Sequence, residues 1–280
     1  MNTVIYMPES PIKNPRKMLR DMWNDLDSSF YLARKLAFRD ISAQYRQTAL
    51  GYFWAILPPL INTIIWVFLN ATNVVKIENA GIPYPAYVFV GTILWQLFIE
   101  SITAPLKQIS VNRSMLTRIN HPKEAIVLSG QIQVLFSFMV KIIVLLPALL
   151  FFRVDIKGTA LLLPIPFLGL MLLGTIIGLF ILPVGALYKD VQEGINIITL
   201  PLMYLAPVVY PMPNVGFLRH AMLFNPVTYL ITASRECLYG SMSDAFVYSI
   251  GICVAAFLLM ICGWILYRVA LPILIERMDA

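Results

Sequence analysis

Six apolar runs, each close to twenty residues long, dominate this chain of 280 residues. A helix needs about 20 apolar residues to cross the hydrocarbon core of a bilayer, where its backbone polar groups must pair internally. Hydrophobic residues make up 59% of the chain and charged residues 13%, whereas soluble domains carry about 25% charged residues. This composition excludes a soluble enzyme, a secreted disulfide scaffold and a disordered chain. It predicts an all-α membrane protein with six transmembrane helices.

The six spans are placed by their apolar runs, with kinks expected where prolines interrupt them. They are expected at about residues 50–71, 86–104, 126–152, 160–187, 195–212 and 246–267. Residues 213–245, between the fifth and sixth spans, are too polar to cross a membrane and too apolar for a solvated loop. Short re-entrant or interfacial helices packed on the bundle are therefore predicted there.

The remaining segments lie at the two ends of the chain. Residues 1–28 have no apolar run and are predicted to form a polar cytosolic segment. In residues 29–47 apolar side chains recur at steps of three and four among basic ones, which is typical of an amphipathic helix in the membrane interface. Its apolar positions are Phe30, Ala33, Ala37, Ile41 and Tyr45. The six-span domain then covers 50–270, and residues 271–280 form a cytosolic tail.

Lysine and arginine placement predicts the orientation, because cytosolic loops of membrane proteins carry an excess of basic residues. With a cytosolic N-terminus, fifteen of the 21 basic residues fall in inside segments, five in outside segments and Lys141 within the third span. Both termini are therefore expected in the cytosol. The formal net charge of +6 reflects this topology and does not indicate nucleic-acid binding.

Catalytic motifs are missing from the sequence. It contains no GxxxxGK[ST] phosphate loop, no HExxH and no GxSxG. The two histidines, His121 and His220, have no neighbouring metal ligands in the sequence. We therefore expect a transport protein without a metal or cofactor of its own, driven by a partner or by an ion gradient.

Two ionisable residues fall inside predicted spans, where charge is costly and indicates function. Glu100 lies near the cytosolic end of the second span, and Lys141 lies well inside the third. Their estimated depths differ by more than one helical turn, so a direct ion pair is not expected. Glu100 is also consistent with an interfacial acid, and Lys141 with a snorkelling lysine. An ion-coupled carrier would need a larger ionisable network and inverted repeats.

Two patterns in the sequence leave alternatives open. The cytosolic loop 105–125 is either a short amphipathic helix that meets a cytosolic partner or a basic loop held by anionic lipid. Aromatic residues form 12% of the chain, and they either belong to ordinary interfacial belts or line a path on which the CH faces of sugars stack. The candidate path residues are Phe53, Trp54, Trp66, Tyr204 and Tyr210.

Residues 39–69 resemble a known signature. Arg39-Asp40, Tyr45-Arg46, Leu50-Gly51, Trp54 and Pro58 occur in the order found in type-2 ABC exporter permeases, in the branch that exports O-antigen, capsule and teichoic-acid polysaccharides. The resemblance covers about residues 30–270. Further similar positions are the loop NRSMLTRINHPKEAIVL, the segment Tyr188-Lys189-Asp190-Val191, the pair Asn225-Pro226 and Arg235. Lys189 departs from the family's arginine, and Asn120-His121-Pro122-Lys123 departs from its aromatic-Pro-Arg.

The resemblance implies a homodimer in the bacterial inner membrane, paired with two copies of a cytosolic ABC ATPase subunit that holds ATP and Mg²⁺. The substrate would be a glycan linked to a polyprenyl-diphosphate lipid, moved outward from the cytosol, with membrane lipids surrounding the path. A permease for a small hydrophobic substrate is the alternative within the family. A membrane enzyme would need clustered acidic residues, whereas those of this chain are scattered.

The resemblance also implies roles for individual residues. ATPase coupling is expected at Asn112, Arg113, Leu116, Arg118, Pro122, Lys123, Lys189 and Asp190. Arg39 and Arg46 are expected where the lipid diphosphate approaches, since guanidinium forks suit phosphate; anchoring to lipid headgroups is the alternative for both. Asn225, Pro226 and Arg235 are expected to gate the periplasmic end.

Overall fold

The computed structural model describes residues 15–46, 48–75, 77, 81–118 and 123–279. Within these ranges the chain forms helices and loops without a β-strand, which confirms the predicted all-α class. The α-helices are α1 (Pro15–Arg46), α2 (Phe53–Ala71), α3 (Tyr84–Val111), α4 (Arg113–Arg118), α5 (Glu124–Phe151), α6 (Pro164–Gly185), α7 (Lys189–Leu202), α8 (Phe217–Phe224), α9 (Pro226–Tyr239) and α10 (Asp244–Asp279). Two short 3-10 helices, Gly158–Leu162 and Met203–Leu205, precede α6 and follow α7.

Five helices are long and apolar enough to cross a membrane: α2, α3, α5, α6 with its preceding 3-10 helix, and α10. They correspond to five of the six predicted spans. The predicted helix over 195–212 differs, because α7 begins at Lys189 and ends at Leu202. Its 14 residues extend about 21 Å, less than the roughly 30 Å of a hydrocarbon core. Pro201, Pro207 and Pro211 lack the N–H that would continue the helix.

Helix α1 is longer than the amphipathic helix predicted over 29–47. It begins at Pro15, a residue whose fixed φ suits a helix start, so it includes about half of the segment predicted as 1–28. Its apolar side, centred on Ala33 and Ala37, is buried and packs against α5. Phe30, which the sequence pattern predicted on that side, is 57% exposed, and Leu36 is buried instead. The location of α1 in the membrane interface stays a prediction.

Helix α3 lies at the centre of the bundle and packs against α2, α5, α6 and α9. Small residues on α6 permit its close approach. A Cβ atom at Gly174 or Gly178 would lie under 3.0 Å from the backbone carbonyl oxygens of Phe98 and Ile102, respectively. The absence of side chains at these glycines therefore brings α6 onto the α3 backbone.

The stretch 213–245 contains two short helices, α8 and α9, as predicted. Asn225 caps α9: its side chain accepts a hydrogen bond from the Val227 N–H at 3.0 Å, and Pro226 occupies the first helical position. Gly240 ends α9 with φ +83°, a left-handed conformation that favours glycine. Helix α9 packs against α3, α6 and α10. A re-entrant position relative to the membrane stays a prediction.

Candidate functional site

The predicted cytosolic segments meet at one end of the bundle. Lys123, just before α5, accepts a hydrogen bond on its backbone carbonyl from the Tyr267 hydroxyl of α10 at 2.6 Å. The next residue, Glu124, pairs with Arg268 at 2.5 Å, and its side chain is fully buried. At the same end, Gly185 of α6 lies against Leu106 of α3. The ends of α3, α6 and α10 and the start of α5 therefore form one packed platform.

Helix α1 is joined to this platform through Arg39. Its Nη2 donates to the Oδ1 atom of Asn112, the residue between α3 and α4, at 2.7 Å. Its Nε donates to Asp40 Oδ1 at 2.8 Å, and Asp40 Oδ2 accepts from Gln133 of α5 at 3.1 Å. The Arg39-Asp40 pair of the sequence signature thus contacts the residue after α3 and helix α5, a role that the order of residues in the sequence did not indicate.

Asn112 is the buried centre of this network. Its Nδ2 donates to the side-chain oxygen of Gln108 at 2.9 Å, which also accepts from Ser129 Oγ at 3.3 Å. Its backbone carbonyl accepts the Leu116 N–H at 3.0 Å and so begins α4. One asparagine therefore connects the end of α3, the start of α4 and, through Arg39, helix α1. Gln108 and Gln133 could not be recognised from the sequence, because neither glutamine belongs to a sequence motif.

The residues predicted to couple to an ATPase are distributed around the platform. Helix α4 confirms a short helix in the loop 105–125. Leu116 is 6% exposed and packs with Ile109 and Tyr267 inside the bundle, so it anchors α4 and does not itself face a partner. Arg113 is exposed at the start of α4, and Asp190 is exposed in the first turn of α7.

Pro122 and the side chains of Arg118 and Lys189 lie outside the described residues. Burial, with a smaller contribution from the Arg268 guanidinium, lowers the pKa of Lys123. Arg46 lies exposed at the end of α1.

Among the residues that the structure describes, no three His, Cys, Asp or Glu side chains are grouped so that they could hold a metal ion.

Glu100 and Lys141 form an ion pair, contrary to the sequence-based expectation: the Lys141 ammonium donates to Glu100 Oε1. The expectation was wrong because α3 continues to Val111, seven residues beyond the predicted span. Glu100 therefore lies eleven residues before the end of α3, and Lys141 lies seventeen residues after the start of α5. The two residues still differ in depth by about 9 Å along the helix axes, and their long side chains span this distance. Lys141 is 1% exposed and Glu100 is 35% exposed.

This asymmetry predicts unequal effects of the two single substitutions. Glu100→Gln leaves a buried ammonium without its counter-charge, which we expect to destabilise the chain by about 2 kcal/mol; full burial of both partners would give 3–5 kcal/mol. Lys141→Met leaves a carboxylate that reaches water and should have a smaller effect. The double variant should recover most of the loss. Thermal unfolding in detergent measures all three, and additive losses would contradict the pairing.

The predicted path aromatics are only partly brought together. Trp66 of α2 and Tyr204, which follows α7, have ring centroids 6.0 Å apart, and the Tyr210 hydroxyl donates to the Tyr204 carbonyl. These three rings connect α2 with the segment after α7. Phe53 and Trp54 lie near the opposite end of α2 and are about half exposed. The five rings therefore form two separate groups, one near each end of α2.

The predicted gate residues hold the segment after α7 in place. Arg235 of α9 is 2% exposed. Its guanidinium donates to the carbonyls of Pro207, Val208 and Tyr87 and lies over the Tyr87 ring at 3.5 Å. The Asn225 amide donates to the Leu205 carbonyl at 2.9 Å. Beyond the 3-10 helix, residues 206–216 are not helical, and α9 supplies donors to carbonyls of this segment.

Gly91 of α3 gives this buried arginine its space. A Cβ atom there would lie under 3.0 Å from Arg235 Nη2 and from the Val208 carbonyl. We expect Gly91→Ala to destabilise the chain by about 2 kcal/mol, in the range of overpacked cores. Gly251→Ala in α10 is the matched control, because no atom lies within 4 Å of its added methyl; helix propensity should make it neutral or slightly stabilising. Equal unfolding temperatures for the two variants would refute this packing.

Comparisons with known proteins agree with this architecture. The family model described as ABC-2 type transporter matches residues 31–239. The O-antigen export system permease protein RfbA of Myxococcus xanthus is 26% identical over 209 residues, covering 73% of this chain and 78% of that protein. The protein of the same name from Klebsiella pneumoniae is 22% identical over 233 residues, covering 82% and 88%.

A transport protein with a different name gives a similar match. The polysialic acid transport protein KpsM of Escherichia coli is 22% identical over 205 residues, covering 72% of this chain and 79% of that protein. The matched range includes the α1 signature, the Asn112 network, the α6–α7 turn and α9. The resemblance noted in the sequence is thereby confirmed, and the chain is a multi-pass membrane protein that belongs to the ABC-2 type transporter family.

Proposed function

We propose that this chain is the permease subunit of an ATP-driven exporter that moves polyprenyl-diphosphate-linked polysaccharide from the cytosol across the bacterial inner membrane. It would act as a homodimer with two copies of a separate ABC ATPase subunit, with both termini of each permease chain in the cytosol. The names of the relatives support a polysaccharide substrate. The Arg39–Asn112 hydrogen bond carries the proposal, because it joins the interfacial helix to the segment expected to meet the ATPase.

In this mechanism the partner ATPase binds ATP and Mg²⁺ and moves α4 and the turn before α7. Leu116 fixes α4 to the bundle, so the movement is transmitted to the platform. Asn112 passes it to α1 through Arg39. We place the entry of the lipid-linked glycan beside α2. Because α1 also holds α5 through Asp40 and Gln133, a shift of α1 would change this entrance.

Arg39 and Arg46 are proposed to meet the lipid diphosphate at this entrance. A guanidinium has five N–H donors, and the contacts of Arg39 with Asp40 and Asn112 use only part of them. Arg46 is exposed seven residues further along α1, about 10 Å away at the helical rise. The Arg39 guanidinium can therefore keep its place in the network while it also binds phosphate.

Co-purification with an ABC ATPase subunit from the same organism tests the proposal. A stable complex of two permease and two ATPase subunits is expected, with ATP hydrolysis stimulated by the host's lipid-linked glycan. Undecaprenyl diphosphate without a glycan and a small hydrophobic compound serve as matched controls, and weak or no stimulation is expected from each. Stimulation by the small compound alone would favour the small-substrate alternative, and a chain that purifies without an ATPase would contradict the proposal.

A further inference from the structure

A cavity of about 410 Å³ lies between α1, α2, α3 and α5, within the size range of small-ligand sites. Gln108 and Gln133 form part of its wall, and both also belong to the network around Asn112 and Asp40. The cavity therefore adjoins the contact to which the proposed function assigns coupling. A ligand inside it would touch α1 and the central helix at once.

Most polar groups in the wall are neutral and can both donate and accept hydrogen bonds. Gln44 of α1 and Gln96 of α3 contribute amides, and Thr103 and Ser137 contribute hydroxyls. The Thr103 hydroxyl donates to the Ile99 carbonyl at 3.1 Å, so its lone pairs are oriented to accept. Such a wall suits a ligand whose groups are themselves donor and acceptor, as alcohol hydroxyls are.

Glu100 gives the wall a strong acceptor whose charge is already compensated. Lys141 bonds its Oε1 atom from the side of α5, and a carboxylate can accept further hydrogen bonds. Lys107 also lines the cavity and supplies an ammonium donor. A hydroxyl can donate to Glu100 and accept from Lys107, so these two groups suit a polyol.

Aromatic rings form the remaining part of the wall. Trp54 of α2, Tyr45 of α1 and Phe136 of α5 line the cavity, and the rings of Tyr45 and Phe136 are 6.5 Å apart. Burial and the Glu100 carboxylate raise the pKa of Tyr45, so its hydroxyl remains a donor at neutral pH. Rings of this kind can contact the apolar CH faces that sugars present, while amides and carboxylates bind their hydroxyls.

We propose that this cavity binds a neutral sugar unit of the exported glycan before the glycan crosses the membrane. The source of the sugar rests on the proposed function, whereas the ligand chemistry follows from the wall. Because Gln108 and Gln133 link the wall to Asn112 and Asp40, a bound sugar would be sensed at the coupling contact. The site would thus report substrate occupancy to the segment that meets the ATPase.

Direct binding to the permease–ATPase complex in nanodiscs tests this assignment. The probe is the oligosaccharide released from the host's glycolipid by mild acid; undecaprenyl diphosphate and phosphatidylglycerol are compared with it. Gln96→Leu should weaken oligosaccharide binding about fivefold, the value of one hydrogen bond, and Ser137→Trp should abolish it by filling the cavity. Leu135→Trp, an exposed position on the same helix, is the control and should bind as the parent does.

The outcomes separate the ligand sources and the two proposals. Parent-like oligosaccharide binding by Ser137→Trp, in a complex that still assembles, would overturn the sugar site. The sugar site would also be overturned if Gln96→Leu or Ser137→Trp weakened the binding of undecaprenyl diphosphate alone or of phosphatidylglycerol alone. The cavity would then hold a phosphate or a lipid headgroup. Glycolipid-stimulated ATP hydrolysis, measured on the same preparations, shows whether the proposed export function stands independently of the cavity.

Discussion

Arg235→Ala is expected to lower the unfolding temperature of the chain in detergent by about 10 °C, the largest stability loss of any substitution proposed for this protein. The change removes a buried guanidinium that donates to the carbonyls of Pro207, Val208 and Tyr87. Each carbonyl left unsatisfied costs about 1–3 kcal/mol. A total near 3–5 kcal/mol corresponds to about 10 °C for a chain of this length.

Two further variants test why Arg235 matters. Arg235→Lys keeps the charge but presents a single ammonium in place of a planar fork, so an intermediate loss is expected. Arg219→Ala is the matched control, since Arg219 is exposed on α8 and donates to the nearby Asn214 carbonyl; a change within about 0.5 kcal/mol is expected. Equal unfolding temperatures for Arg235→Ala and Arg219→Ala would show that the buried contacts do not hold the segment after α7.

Asn112→Ala is expected to reduce glycolipid-stimulated ATP hydrolysis and export about tenfold, a typical size for a coupling free energy, while leaving the complex assembled. The side chain is buried and connects α3, α4 and α1 through Gln108 and Arg39. Its removal separates the helix expected to meet the ATPase from the helix proposed to lie where the lipid-linked glycan enters. ATPase assays and transport assays on one proteoliposome preparation measure both quantities.

A double-variant cycle separates coupling from phosphate binding. If Arg39 acts through Asn112, then Arg39→Ala combined with Asn112→Ala should be no worse than either single variant. If Arg39 acts mainly on the lipid diphosphate, the two losses should add. Arg34→Ala, which removes an exposed cation from the same helix, is the control and should transport as the parent does. Normal coupling in Asn112→Ala would refute the proposed transmission route.

The sequence alone predicted most of the helical framework. Runs of about twenty apolar residues located five membrane helices, because bilayer thickness sets helix length directly. Short helices were predicted over 213–245, and α8 and α9 lie in that stretch. Helix α7 was misplaced because an apolar run over 195–212 predicts burial but not helix continuity, and the prolines after residue 200 end it early.

Contacts between distant helices could not be predicted in the same way. The Glu100–Lys141 pair depends on how far α3 continues past its apolar run and on its register against α5, neither of which hydropathy records. Arg39–Asn112 joins residues 73 positions apart. Arg235 was expected to gate the periplasmic end, but its burial and its carbonyl partners could not be predicted, because those partners belong to an irregular segment that carries no periodic signal.

Transport by the reconstituted permease–ATPase complex tests the central claim most directly. Proteoliposomes would carry the host's lipid-linked glycan on the ATPase side, and a membrane-impermeant glycosidase on the opposite side would cleave only the exported glycan. ATP should produce time-dependent cleavage that a hydrolysis-deficient ATPase partner abolishes. Glycan that stays protected while ATP is hydrolysed, in vesicles that export a small hydrophobic compound instead, would contradict a polysaccharide exporter.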